Sequence, residues 1–197
     1  MSMVGTDNTS DEQIVAAVCG GEAAKFALLI DRYQNKLFYY VLKYVAQPDK
    51  AEDIVQDTFI KIYTNLQSFD QSKKFSAWAY RIAHNNMVDS VRREKPIVSI
   101  EENEWVSNIS DAKVDIVAEM ELRQTKQEVQ SAVNNLPNKY KDVVVLHYFE
   151  GYGYEEISDI LGIPTSSVGT RLRRGKAKLK DLLPMEAQSW ASHQKSI

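Results

Sequence analysis

Hydrophobic residues recur every three or four positions along most of the chain, which is the spacing of amphipathic helices. Between residues 22 and 46 these positions are Phe26, Leu29, Ile30, Tyr33, Leu37, Tyr40, Val41 and Tyr44. The segment 49–66 repeats the pattern with Ile54, Val55, Phe59, Ile62 and Leu66, and a further helix is predicted from Phe75 onward. No segment shows the two-residue alternation of a strand bounded by turn residues. The pattern therefore predicts an all-α fold.

Local sequence signals indicate where the first helices begin. Ser10 is followed three residues later by Gln13, the spacing of a capping box in which each side chain bonds the other residue's backbone. Pro48 interrupts the second helix, and Asp49 with Glu52 is expected to open the third.

The hydrophobic pattern fades after Lys95 and resumes near Val117. The intervening segment 96–117 begins with a proline and is polar, as linkers are. Acidic residues dominate positions 101–121, where Glu101, Glu102, Glu104, Asp111, Asp115, Glu119 and Glu121 stand against Lys113 alone. The sequence therefore predicts two small helical domains, 10–95 and 118–183, joined by a flexible acidic linker.

Composition narrows the functional classes. The 197 residues include 24 basic and 27 acidic side chains, and 44% are hydrophobic, which is typical of a globular protein. We expect neither a membrane span nor a secretory signal, because the chain has no apolar run of about 20 residues and no basic, apolar N-terminus. The single Cys19 excludes an intramolecular disulfide, and the three histidines lack metal-ligand spacing. We therefore expect a cytoplasmic protein that uses no metal, cofactor or small-molecule substrate.

The segment 154–182 has the pattern of a helix-turn-helix. Ile157, Ile160 and Leu161 form the apolar stripe of a short first helix, which Gly162 and Pro164 end. Thr165, Ser166 or Ser167 is the predicted N-cap of the second helix. The inward side of that helix is predicted to be Val168, Leu172, Gly175, Leu179 and Leu182.

The second of these helices concentrates positive charge. Six of the ten residues from Arg171 to Lys180 are basic, and no acidic residue stands among them to pair with the cations. The helical pattern directs Ser166, Thr170, Arg173 and Arg174 outward, with Arg171, Lys176 and Lys178 at the sides. A solvated charged face is the simpler alternative. The unpaired cations and the preceding turn favour a helix that enters the major groove of DNA.

A second cationic segment, "KKFSAWAYRIAHNNMVDSVRREK", mixes basic with aromatic residues in the first domain. Aromatic rings that stack on unpaired bases, beside cations that follow the phosphate backbone, are typical of single-strand recognition. The alternative is that Phe75, Trp78, Ile82 and Val88 belong to the core, and the pattern alone favours that alternative for half of the aromatic residues.

Three stretches, taken in order, resemble the extracytoplasmic-function (ECF) sigma factors of bacterial RNA polymerase. They are "AEDIVQDTFIKIY", then "FSAWAYRIAHN" with "RR" after it, and then "LPNKYKDVVVLHYFEGYGYEEISDILGIPTSSVGTRLRRGKAKLKDLL". The resemblance covers about residues 10–95 and 120–183. It implies a transcription initiation factor with an N-terminal domain that opens promoter DNA and a C-terminal helix-turn-helix domain.

The resemblance also implies partners and residue roles. Core RNA polymerase is expected to contact Asp53, Gln56 and Asp57. The −10 promoter element is expected to contact Lys73, Lys74, Phe75, Trp78, Arg81, Asn85, Arg92 and Arg93. The −35 element is expected to contact Ser166, Ser167, Thr170, Arg171, Arg173, Arg174, Lys176 and Lys178. An anti-sigma factor is the expected regulator.

Two positions on the second helix of the helix-turn-helix depart from the family. Family members often have a basic residue where this chain has Gly169 and an aromatic one at Arg173, which affects which DNA sequence is read.

Two other functions remain to be weighed. A stand-alone helix-turn-helix regulator is the alternative, although it would not need the aromatic-basic helix of the first domain. An enzyme is disfavoured because the sequence has no phosphate-binding glycine loop and no nucleophile constellation.

Overall fold

The computed structural model describes residues 9–45, 47–93 and 128–183, and these contain helices and no strand. They belong to two compact units, one on each side of position 98. The all-α, two-unit prediction is therefore confirmed, while the domain limits 10–95 and 118–183 stay predictions. The predicted linker 96–117 and the tail 184–197 lie outside the described residues.

The described residues of the N-terminal unit form four α-helices. Helix α1 is Asp11–Cys19, and a 3₁₀ turn Ala23–Lys25 leads into α2, Phe26–Leu42. Helix α3 is Pro48–Asn65, continued by a 3₁₀ turn Leu66–Ser68, and α4 is Phe75–Arg93. Their apolar faces meet in one core, whose fully buried members include Ile14, Leu29, Leu37, Tyr40, Ile62 and Phe75.

The helix starts match the sequence signals in part. The capping box of α1 is present: the Gln13 N–H donates to Ser10 Oγ at 3.2 Å, and the Ser10 N–H donates to Gln13 Oε1 at 2.9 Å. Helix α3 begins one residue earlier than expected, because Pro48 occupies its first position after the N-cap Gln47. Proline fits there because the first helical N–H has no intrahelical partner to lose.

The C-terminal unit contains the predicted helix-turn-helix. Helix α5 is described over 128–134, and α6 is Asn138–Val144, continued by a π-helical turn Val145–Phe149. Helix α7 is Tyr154–Leu161, and α8 is Thr165–Leu182. Gly162 ends α7 in the left-handed conformation, with φ of 63°, as its glycine identity predicted.

Two details of α8 differ from prediction. Its N-cap is Pro164, and no side chain of the Thr165–Ser167 segment makes a capping hydrogen bond. Leu182 is 45% exposed, and the neighbouring Leu183 is buried instead. The backbone leaves the helix after Leu182, so the next residue turns inward.

Candidate nucleic-acid and polymerase interface

Helix α8 presents one polar, cationic face. Ser166, Thr170, Arg173 and Arg174 are exposed, whereas Val168, Leu172 and Leu179 on the opposite side are buried against the rest of the unit. Lys178 is exposed beside this face, and Ser167, Arg171 and Lys176 are half-buried at its edges. The predicted division between an outward face and its flanks is therefore present in the fold.

The cations at the centre of this face have no carboxylate partner in the part of the chain that the structure describes. No acidic oxygen there lies within the 4.0 Å ion-pair distance of Arg173 or Arg174. Arginines without an ion-pair partner can bind phosphates, or make bidentate contacts with base edges, without first breaking an internal contact.

Tyr154 is a residue of this surface that the sequence analysis missed. Its side chain is 45% exposed at the start of α7, and its ring packs edge-on against His147 with 5.5 Å between centroids. A Cβ at Gly169 would lie 3.4 Å from Tyr154 Cε2, an ordinary van der Waals contact, so the tyrosine ring packs directly beside this glycine. The sequence held one signal of this contact, the glycine at position 169, where family members often have a basic residue. A small residue at that position permits a neighbouring side chain to approach.

A second exposed face lies on α4. Arg81, Asn85 and Arg92 are exposed and Trp78 is half-buried. Their spacings of three, four and seven residues place the four side chains within one stripe of the helix. Four of the eight predicted −10 residues are thus together on a surface that ends at the α4 N-terminus.

The loop before α4 holds Lys73 and Lys74, both exposed, in an ordered turn. Asp70 Oδ1 accepts from the Ser72 N–H at 2.9 Å, and the Lys73 N–H donates to the Asp70 carbonyl at 2.9 Å. Hydrogen bonds from the backbone and the side chain of Ser72 lower the pKa of the Asp70 carboxyl. The loop therefore presents its two lysines from a hydrogen-bonded turn at the end of the α4 face.

The structure corrects the assignment of Phe75. This side chain is 0% exposed, with its ring centroid 5.4 Å from that of Tyr33 and 5.9 Å from that of Phe69. A buried ring cannot stack on a base, so Phe75 belongs to the core. Trp78 touches the same cluster, with its ring 5.2 Å from Phe69, but keeps one side at the surface.

Arg93 lies apart from the α4 stripe. It lines a shallow groove of about 240 Å³ between α3 and α4 that also includes Asp53, Asp57 and Asp89. The helical turn directs Arg93 toward α3, whereas Arg92 faces the same way as Asn85. The assignment of Arg93 to the −10 element stays a prediction, and Arg93 shares a groove with Asp53 and Asp57, which are predicted to bind polymerase.

The predicted polymerase-binding residues are all exposed on α3. Asp53, Gln56 and Asp57 lie on its solvent side, while Ile54, Phe59 and Ile62 are buried. The same side exposes two large apolar residues, Ile60 at 61% and Tyr63 at 49%. Neither residue was predicted to lie on this surface, because apolar residues at helical spacing are equally typical of a buried face.

Two family models match the chain, one on each unit. They are "Sigma-70 region 2", over residues 29–97, and "Sigma-70, region 4", over residues 126–179. The chain is 36% identical over 173 residues to the ECF RNA polymerase sigma factor SigW of Bacillus subtilis, covering 83% of this chain and 91% of the relative. The chain belongs to the ECF sigma factors. The ECF RNA polymerase sigma-E factor of Haemophilus influenzae is 30% identical, with 89% of this chain and 96% of that relative covered.

Solved structures share the sigma-factor fold. CnrH, in complex with the cytosolic domain of CnrY, matches with a TM-score of 0.65 at 26% identity, covering 87% of this chain and 96% of CnrH. The sigma factor RpoE of Bartonella quintana, in complex with the anti-sigma factor NepR, matches with a TM-score of 0.60 at 21% identity, covering 80% and 95%.

The family match decides the general function. This ECF sigma factor is a transcription initiation factor that directs RNA polymerase to promoters, and nothing in the matches supports the alternative of a stand-alone regulator. The matched region 2 contains α3 and α4, and the matched region 4 contains most of α8. Among the described helices, none is long and apolar enough to cross a membrane. Those same residues contain no cluster of three or more His, Cys, Asp or Glu that could hold a metal ion.

Proposed function

We propose that this sigma factor recognises a promoter with two separate helical faces. The observation behind the proposal is that each unit exposes one cationic face, on α8 and on α4, and that each face lies within a different matched sigma region. In this account α8 binds the −35 element, and α4 with its preceding loop binds the −10 element.

On α8 the residues divide into two groups by position. Thr170, Arg173 and Arg174 project from the centre of the face and are placed to contact base edges in the major groove. Arg171, Lys176 and Lys178 lie at its sides and contact phosphates, which orient the helix without reading sequence. Ser166 and Ser167 approach the backbone at the start of the helix, and Tyr154 adds a hydroxyl at the same edge.

On α4 the same division applies to single-stranded DNA. The half-exposed ring of Trp78 can stack on an unpaired base, while Arg81 and Asn85 are placed to bind it by hydrogen bonds. Lys73 and Lys74 bind phosphates from the loop, and Arg92 does so further along the stripe. Phe75 supports this surface from beneath, as a core residue.

Polymerase binding is assigned to the exposed side of α3. Its carboxylates and amide, Asp53, Gln56 and Asp57, lie beside the apolar Ile60 and Tyr63. An apolar and aromatic centre bordered by polar and charged side chains is the usual composition of a protein–protein interface. Arg93 adds a cation at the edge of the same surface, in the groove between α3 and α4.

Regulation and location complete the proposal. The protein acts in the cytoplasm, where core polymerase and promoter DNA are found, and it has no catalytic role of its own. An anti-sigma factor is its proposed inhibitor, and CnrH, which is similar to this chain, was solved with a bound protein partner, the cytosolic domain of CnrY. Such a partner would compete with polymerase by covering the exposed apolar side of α3.

The two groups of α8 residues provide the test of this proposal. Holoenzyme binding is measured on promoters with a randomised −35 element at two salt concentrations. Arg174→Ala should relax the preference at one or two base pairs, because a bidentate arginine contact supplies roughly 1–3 kcal/mol of discrimination. Lys176→Ala should weaken binding to all sequences alike and lower the salt slope by about one. If Arg174→Ala also weakens every sequence equally, α8 is a phosphate clamp and the assignment fails.

A further inference from the structure

Helix α1 contacts the rest of the N-terminal unit through hydrogen bonds as well as through its apolar side. Ile14 and Val15 are buried, and Asp11 accepts hydrogen bonds from Arg32 Nη1, at 2.6 Å, and from the Tyr33 hydroxyl on α2. This arrangement fixes α1 near its first turn. Helix α1 lies before residue 29, where the region 2 match begins.

Glu12, the next residue, contacts α4 directly. Its Oε1 accepts from the Phe75 N–H at 3.0 Å, across 63 positions of sequence. Phe75 is the first residue of α4, and the N–H groups of a helix's first turn have no partner within the helix. A carboxylate at this point also interacts favourably with the positive end of the helix dipole. Glu12 therefore caps α4 from another helix.

Phe75 is also held through its ring. Tyr33, which Asp11 binds, packs edge-on against Phe75 with 5.4 Å between centroids, and Phe69 packs against it at 5.9 Å. Phe69 and Phe75 stand on either side of the loop 70–74, so their contact brings the two ends of that loop together. The loop that presents Lys73 and Lys74 therefore ends at Phe75, whose N–H donates to the Glu12 carboxylate of α1 and whose ring packs against Tyr33 of α2.

We propose that Glu12 is a positioning residue for −10 recognition: by capping α4, it fixes the orientation of the loop 70–74 and of Trp78 toward DNA. Glu12 touches no DNA in this account and acts through Phe75. The inference rests on the proposed role of the α4 face. A simpler role, in which Glu12 only stabilises the fold, would lower every activity of the protein together.

Glu12→Ala and Glu12→Gln, with Glu22→Ala as the control, distinguish these roles. Glu22 is a matched control because it also lies in the N-terminal unit and its loss removes one negative charge, but its ion pair with Lys25 is exposed and distant in sequence from the loop. Each full-length variant is assembled with core RNA polymerase on a promoter obtained by selection with the wild-type holoenzyme. The fluorescence of 2-aminopurine in the −10 element reports strand opening on that promoter and on one with a substituted −10 base.

The decisive quantity is the ratio of opening rates on the selected and the substituted promoters. Glu12→Ala should reduce opening on the selected promoter about fivefold, the effect of losing one helix cap, and should lower the ratio. Glu12→Gln retains an acceptor oxygen and should recover much of the ratio, whereas Glu22→Ala should match the wild type. Assembly with core polymerase should be unchanged in all three.

Two results would overturn the inference. One is an unchanged ratio in Glu12→Ala, with opening lost equally on both promoters, because that describes a purely structural role. The other is full activity of Glu12→Ala. Parallel measurements on Arg81→Ala and Asn85→Ala, the residues proposed to bind the unpaired base, separate this failure from that of the proposed function. If these two variants lower the ratio and Glu12→Ala does not, only the positioning role is wrong, and if none does, the α4 face itself is misassigned.

Discussion

Helix α8 packs closely on α6 at Gly175. One atom of α6 should decide whether Gly175→Ala lowers or raises the free energy of unfolding of the C-terminal unit. A Cβ built on Gly175 lies 2.9 Å from Val144 Cγ2, closer than packed side chains tolerate, and 3.5 Å from Tyr140 Cβ, which is an ordinary contact. Overpacking of this kind costs typically about 1–3 kcal/mol, while replacing glycine by alanine within a helix gains about 1 kcal/mol. Gly175→Ala should therefore lower the free energy of unfolding of the C-terminal unit by about 0–2 kcal/mol.

Gly169→Ala provides the matched comparison in the same helix. Its new Cβ would meet Tyr154 at 3.4 Å, an ordinary contact, so the substitution should stabilise the unit by up to about 1 kcal/mol. Amide hydrogen exchange of α8 peptides, followed by mass spectrometry, measures the opening free energy of this unit separately from the other.

A third variant identifies the atom responsible. Val144→Ala removes the methyl group that the new Cβ would meet, so Gly175→Ala should become stabilising in that background, by about 1 kcal/mol. If Gly175→Ala stabilises the wild-type protein as much as Gly169→Ala does, the close approach of α8 to α6 does not limit residue size, and the packing argument is refuted.

Three further predictions concern the N-terminal unit. Asp53→Arg combined with Gln56→Ala should weaken holoenzyme assembly in a competition assay while helix content by circular dichroism is retained, and unchanged assembly would exclude this side of α3. Lys74→Ala and Asn85→Ala should reduce open-complex formation more than closed-complex binding, and an equal loss of both would contradict a role in strand opening. Burial lowers the pKa of His84 to about 4, so the unfolded state takes up a proton first as the pH falls below about 6.5. The free energy of unfolding should therefore decrease by about 3 kcal/mol more in the wild type than in His84→Gln between about pH 6.5 and 4. Urea titrations at several pH values measure both free energies, and an equal decrease in the two proteins would refute this.

Features set by neighbouring residues could be predicted from the sequence. The Ser10–Gln13 capping box, the left-handed Gly162 and the buried Val168 and Leu172 follow from local hydrogen bonding and helical period. These signals reach over a few positions, which a single sequence displays directly.

Features set by packing between distant segments could not be predicted in the same way. Phe75 was assigned to DNA because its segment is aromatic and basic, yet its burial depends on Tyr33 and Phe69 from other parts of the chain. Arg93 lies one residue beyond Arg92 but 100° further around α4, which directs it into the α3 groove. The Glu12 cap on Phe75 has no local signal at all.

The central claim is that α8 and α4 bind separate promoter elements, and selection from a promoter library tests it most directly. Core polymerase with this sigma factor is presented with DNA randomised at both promoter elements, and the transcribed molecules are sequenced. Two separated elements should be enriched. The Arg174→Ala holoenzyme should lose preference in the upstream element alone, and the Asn85→Ala holoenzyme in the downstream element alone. Loss of preference in both elements with either substitution, or in the opposite element, would contradict the assignment of α8 and α4.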